Sequence, residues 1–153
     1  MKNAVEYLNA HRGGFNAALD LRFVEASDAV VVATVEVGPH LQQPYGIVHG
    51  GVYCAIVETL ASTGAALSAM PRGQHVVGVE NATSFVHAVR EGTLTGRATP
   101  VTRGRRSQLW QVEIRDDDDR IAATGRVRLL CLHADEKLAG ADVPRMPDAG
   151  DDG

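Results

Sequence analysis

One unbroken apolar segment, GGVYCAIVETLASTGAALSAM at residues 50–70, limits what this chain can fold into. It is long enough for a helix of many turns, and Pro71 and Gly73 stop it. Everything apolar beyond it has strand grammar. HVVGVENATSFVHAV (75–89), TLTGRATPVT (93–102), RSQLWQVEIR (106–115) and RIAATGRVRLLCL (120–132) are each bounded by Gly or charged turns. Before it stand a predicted short helix at 4–10 and AVVVATVEVG (29–38), whose β-branched residues predict a strand. The intervening PHLQQPYGIVHGG reads as a loop, punctuated by Pro39, Pro44 and Gly46. The order is strand, long helix, then four strands expected as an antiparallel meander. A sheet of that kind can cover its apolar face only with the one helix available, which makes an α+β fold. Its other face must be polar or meet a second subunit. The run Asp116–Asp119 reads as a solvated hairpin turn between two strands.

Length and composition narrow the function. A chain of 153 residues suits one domain with one core, expected over 1–132. From His133 onward Ala, Gly, Pro and Asp dominate, so 133–153 is expected to be a flexible tail. A net charge of −4 with only 5% aromatics argues against a nucleic-acid partner. The two cysteines, Cys54 and Cys131, lie far apart, and MKNAVEYLNA has no apolar signal core, so a reducing, cytoplasmic setting is expected. The segment from Val52 to Met70 carries Glu58 and several hydroxyls, which favours a buried core helix over a membrane span. No clustered His/Cys set or H-E-x-x-H motif occurs, and neither metal nor cofactor is expected.

Placed at about 100° per residue, the helix puts Gly51, Cys54, Ala55, Ala61, Ser62, Ala65 and Ala69 around Glu58. The opposite face carries Tyr53, Ile56, Leu60, Thr63 and Leu67, the stripe expected to fill the core. Glu58 therefore stands alone among small residues. It is a solvated residue, half of an ion pair, or a carboxylate held in a cleft for chemistry. Gly50 and Gly51 leave N–H groups bare at the helix entrance, where an anion or a developing oxyanion can be held. The same glycines could equally serve a tight turn. Along one helix, at about 1.5 Å per residue, Gly50 and Glu58 are ~12 Å apart. If both act on one centre, two subunits must each supply one half.

At these residues the chain resembles a known family. GIVHGGVYCAIVETLAS is similar to the signature of hotdog-fold acyl-CoA thioesterases. The nearest branch is that of the 4-hydroxybenzoyl-CoA, 1,4-dihydroxy-2-naphthoyl-CoA and phenylacetate-pathway thioesterases. NATSFVHAVREG and GRRSQLWQVEIRDDDDRIAATGRVRL extend the likeness across roughly residues 25–132. The resemblance implies a hotdog fold, a long central helix wrapped by an antiparallel β-sheet. It also implies homodimers with a continuous sheet, often paired into tetramers, with active sites at the dimer interface and acyl-CoA as substrate.

By the same resemblance, the Gly50 N–H polarises the thioester carbonyl, and Glu58 of the partner subunit is nucleophile or general base. His49 and Gln43 match positions that orient the thioester, the lytic water or the leaving thiolate, and Ser62 matches a hydroxyl that assists the water. Arg90, Arg105, Arg106 and Ser107, with Arg103 beside them, are candidates for the CoA phosphates; a solvated basic edge is the other reading. His87 stands where relatives often carry Arg. The acyl group, aromatic or medium-chain, is left open. The rival from another class is a non-catalytic acyl-CoA-binding or regulatory module on the same fold.

Overall fold

In the strand Ser107–Arg115, Gln108, Trp110, Val112 and Ile114 are buried while Gln111 and Glu113 face solvent. This period of two makes one face of a sheet apolar, and that face needs a cover. The computed structural model describes residues 4–143 and supplies the cover with one long helix. The elements are α1 (Ala4–Ala10), α2 (Gly14–Ala18), β1 (Arg22–Ala26), β2 (Val31–Glu36), α3 (Gly50–Ala69), β3 (Gln74–Phe85), β4 (Thr93–Arg103), β5 (Ser107–Arg115) and β6 (Ile121–His133). Six strands form one antiparallel sheet in the order β1-β2-β4-β5-β6-β3, curled around α3. This is the hotdog arrangement.

Several expectations need correction. The four strands after α3 are not one meander: β4, β5 and β6 are, but β3 pairs with the far side of β6 and β2 takes the place beside β4. The helix crosses the concave face and delivers the chain at the β6 edge, so residues 86–92 must carry it back over the sheet's end. The strand expected over 75–89 accordingly stops at Phe85. β1 and α2 had no sequence signal. RFVEA is short and half charged, and it becomes a strand by pairing with β2, while GFNAA is a single turn led by glycine. Of the tail expected from 133 onward, residues 138–141 form an isolated bridge, and 144–153 lie outside the described residues.

The core also redraws the helix faces. Tyr53, Ile56 and Leu60 are buried as expected, but Thr63 and Leu67 are only partly buried. Ala61, Ala65 and Ala69, assigned to the Glu58 rim, are fully buried. The curled sheet covers both flanks of α3, and small side chains are what let strands come that close. Gly64 is the tightest case among the glycines of α3, since a Cβ there would lie 2.5 Å from the Trp110 ring. Beside it, Trp110 Nε1–H donates to Gln108 Oε1 (2.9 Å), and Gln108 Nε2 donates to the Ala65 carbonyl (3.1 Å). This satisfies a buried amide and indole, as an apolar interior requires. Among the described residues, Gly50–Arg72 is the one stretch apolar and long enough to cross a membrane, and it is this sheet-wrapped core helix.

Candidate active site

At the entrance of α3, His49 is the N-cap. Its Nδ1 accepts from the Gly51 N–H (2.9 Å), and its carbonyl accepts from the Val52 N–H (2.9 Å). A ring accepting at Nδ1 carries its proton on Nε2, so the exposed imidazole offers a donor outward. Capping thus consumes two of the orphan donors and leaves the Gly50 N–H unclaimed by any group among the described residues. Phe85, at the end of β3, lies over that glycine; a Cβ on Gly50 would come 2.7 Å from its ring. Phe85 is nonetheless 58% exposed, so it walls the glycine on one side while its own outer face is open.

Glu58 is partly buried and makes no ion pair among the described residues. One oxygen accepts from the Ser62 hydroxyl (3.3 Å), the other from the Asn81 side-chain amide (3.0 Å). Gly78 of β3 lies against the same carboxylate, where a Cβ would overlap Oε1. Neutral donors therefore orient the carboxylate and leave its charge uncompensated.

The remaining predicted residues divide between the two ends of the sheet. Gln43 accepts the Tyr45 N–H on its side-chain oxygen (3.0 Å), which ties it into its own loop. Arg90 clamps that loop by donating to the carbonyls of Tyr45 (2.9 Å) and Gly46 (3.2 Å), so it sits near Gly50. His87 is at this end too, 3.9 Å from Asp116. Arg105, Arg106 and Ser107 lie in the β4–β5 hairpin at the other end, beside the start of β3, where Gln74 Nε2 donates to the Arg105 carbonyl (3.0 Å). A single protomer does not bring the two sets together. Arg103 is paired with Asp28 (2.7 Å).

Three contributors were not anticipated: Asn81, Phe85 and Tyr53. Asn81 carried a usable signal, because asparagine is uncommon in strands. Tyr53 is 3% exposed, its ring 5.9 Å from that of Phe85, and its hydroxyl has no hydrogen-bond partner. Burial, with the nearby Asp116 charge adding, pushes its pKa up to about 12. Burial also pushes the Asp116 carboxyl up, but hydrogen bonds from the Arg120 side chain and backbone, the Arg120 charge and the Asp118 N–H outweigh it. The net effect holds Asp116 below the usual carboxylate value.

Residues 45–123, from the loop ahead of the helix cap to the start of β6, match the family described as the Thioesterase superfamily. The chain belongs to the thioesterase superfamily. It is 47% identical over 122 residues to a Mycobacterium tuberculosis protein named as an esterase, a match spanning 78% of this chain and 87% of that one. It is 35% identical over 132 residues to the 1,4-dihydroxy-2-naphthoyl-CoA hydrolase of Escherichia coli K12, covering 86% of this chain and 96% of that one. A solved Haemophilus influenzae thioesterase superposes with a TM-score of 0.81 at 30% identity, covering 87% and 93% of the two chains. This thioesterase is therefore a thioester hydrolase, and the non-catalytic alternative falls away.

Proposed function

We propose that this thioesterase hydrolyses acyl-CoA thioesters to a free acid and CoA, in a site shared by two protomers. The supporting observation is the layout of β3. This edge strand presents Val79 and Phe85 to solvent, with Val86 just beyond its end. An open apolar edge is a template for pairing with another strand. Gly78, near one end of that stretch, touches Glu58, and Phe85, at the other end, touches Gly50. Antiparallel self-pairing about Asn81–Ala82, with neighbouring strands about 4.8 Å apart, sets the Gly50 of one protomer beside Glu58 of the partner subunit. The ~12 Å that separates the two groups within one helix then ceases to matter.

The Gly50 N–H holds the thioester carbonyl oxygen and stabilises the negative charge that develops there. Glu58 of the partner subunit takes a proton from water, whose oxygen attacks the carbonyl carbon. The C–S bond breaks, and the departing thiolate takes from Glu58 the proton that came from water, which restores the carboxylate. Direct carboxylate attack to give an anhydride is the other route; transfer of oxygen from labelled water into Glu58 separates the two. His49, through its outward Nε2–H, and the Gln43 amide orient the thioester, and Ser62 steadies the carboxylate. Self-pairing also brings opposite ends of the protomers together. Arg90 and His87 then share one end of the joined sheet with the partner subunit's Arg105, Arg106 and Ser107, a split cradle for CoA phosphates. The assembly required is a homodimer, or two such dimers as a tetramer. The Phe85 ring beside Gly50, backed by the buried Tyr53 ring, favours an aromatic acyl group over a medium aliphatic chain, in keeping with the aryl-CoA named for the Escherichia coli relative.

The test is Glu58→Gln against a panel of aryl- and alkyl-CoA thioesters with a thiol-detecting dye. Turnover is expected to fall by at least ~100-fold with the fold intact. Hydrolysis at the wild-type rate removes Glu58 from the mechanism.

A further inference from the structure

β3 contains a bulge. Gly78 pairs with Leu129 and Glu80 with Arg128, leaving Val79 unmatched. Plain alternation would send Gly78 and Asn81 to opposite faces of the sheet; the extra residue puts both against the helix. Gly78 there makes room for the Glu58 carboxylate, and Asn81 grips it. All the polar atoms of the Asn81 side chain are engaged. Its amide nitrogen donates to the Cys54 carbonyl (3.1 Å) and to Glu58 Oε2 (3.0 Å), and its oxygen accepts from the Thr83 hydroxyl (2.7 Å). The Cys54 carbonyl can only accept, so the amide cannot be flipped without losing that bond.

We infer that Asn81, aimed by the bulge at Gly78–Glu80 and locked by Thr83 and Cys54, is a positioning residue that fixes the Glu58 carboxylate for attack. The inference rests on Glu58 acting in the hydrolysis. Asn81 touches neither water nor thioester in this scheme; it holds one carboxylate oxygen so that the other, beside Ser62, faces the reaction. A purely structural tie between β3 and α3 is the competing account.

The experiment compares Asn81→Leu, similar in size without donors, and Asn81→Asp, isosteric with a second carboxylate, using an acyl-CoA substrate. For Asn81→Leu, kcat is expected to fall about 10- to 100-fold, the span associated with losing a hydrogen bond to a charged group, with KM within about twofold. For Asn81→Asp, the acid limb of the kcat profile is expected to move to higher pH by about one unit or more, because two facing carboxylates compete for one proton. A structural tie would lower the melting temperature or raise KM in both variants and leave the acid limb in place; that result overturns the inference. Should Asn81→Leu fail to fold, the pH profile of Asn81→Asp decides alone. Glu58→Gln, assayed alongside, separates the two failures. If it stays active, the proposed function falls; if it is dead while Asn81→Leu turns over normally, only the inference falls.

Discussion

Replacing Gly78 by alanine should make this protein more stable and less active at once. Gly78 lies within β3 with an ordinary negative φ, so its backbone accepts a side chain. Glycine in a strand costs about 0.5–1 kcal/mol relative to alanine in lost chain entropy. That gain should appear as a rise of about 1–4 °C in melting temperature for a chain of this size. The added Cβ, however, would overlap Glu58 Oε1 and stand 3.1 Å from the carboxyl carbon and 3.6 Å from Oε2. Ordinary contact is restored only if the carboxylate retreats by about 1 Å, out of register with Ser62 and Asn81, a displacement that can cost ~100-fold in rate. Thermal melting and steady-state thiol release on the same preparation provide the assay. If Gly78→Ala keeps wild-type kcat, Glu58 is not held where the mechanism needs it. If it unfolds, the account of the strand backbone is wrong.

The other predictions concern the frame around the site. Gly64→Ala drives a methyl group into the Trp110 ring in a fully packed core, so it should lower unfolding stability by about 1–3 kcal/mol by urea titration. Tyr53→Phe deletes a buried, unpartnered hydroxyl and should be neutral or stabilising at pH 7, by up to ~1–3 kcal/mol. In the wild type the folded state keeps the phenol protonated where the unfolded chain does not, so stability is full below pH ~10 and falls as pH rises towards about 12. Melting curves of Tyr53→Phe should lack that alkaline loss. Asp116 works in the opposite sense. Its folded-state pKa is lowered, so its contribution is present above the ordinary value of about 4 and is lost as pH falls through the lowered one. Asp116→Asn should flatten that part of the acid stability profile.

How far the sequence could be read depended on whether a feature is local. The long helix, its stop at Pro71 and the β4–β5–β6 alternation are local patterns, and the structure follows them. The small-residue rim was legible only in part, because periodicity locates the flanks of a helix but not how far a sheet curls over them. Ala61, Ala65 and Ala69 went under the sheet for that reason. The place of β3 is a question of connection rather than pattern, and nothing in HVVGVENATSF says which edge it joins. Glu58 and the Gly50–Gly51 pair stood out as exceptions to an apolar run. Asn81 offered only the signal of an asparagine in a strand, and Gly78 and Phe85 none, since each acts through a contact between a strand and a helix distant in sequence, on a strand with one unpaired residue at Val79.

The central claim is that each site takes its N–H from one protomer and its carboxylate from the other, and mixing two disabled variants tests it most directly. Gly50→Pro removes the one N–H at issue. Gly50 is the first helical residue, where a proline backbone is well tolerated, and His49 already has the extended backbone (φ −66°, ψ 136°) that a following proline favours; the added ring requires only the exposed Phe85 side chain to turn aside. Glu58→Gln removes the carboxylate. Each variant alone should be inactive towards acyl-CoA. A differently tagged pair, co-expressed and purified as the heterodimer, rebuilds one intact site of the two, and about half the wild-type turnover per dimer is the predicted result. A heterodimer as inactive as its parents would place both groups within one protomer and contradict the account.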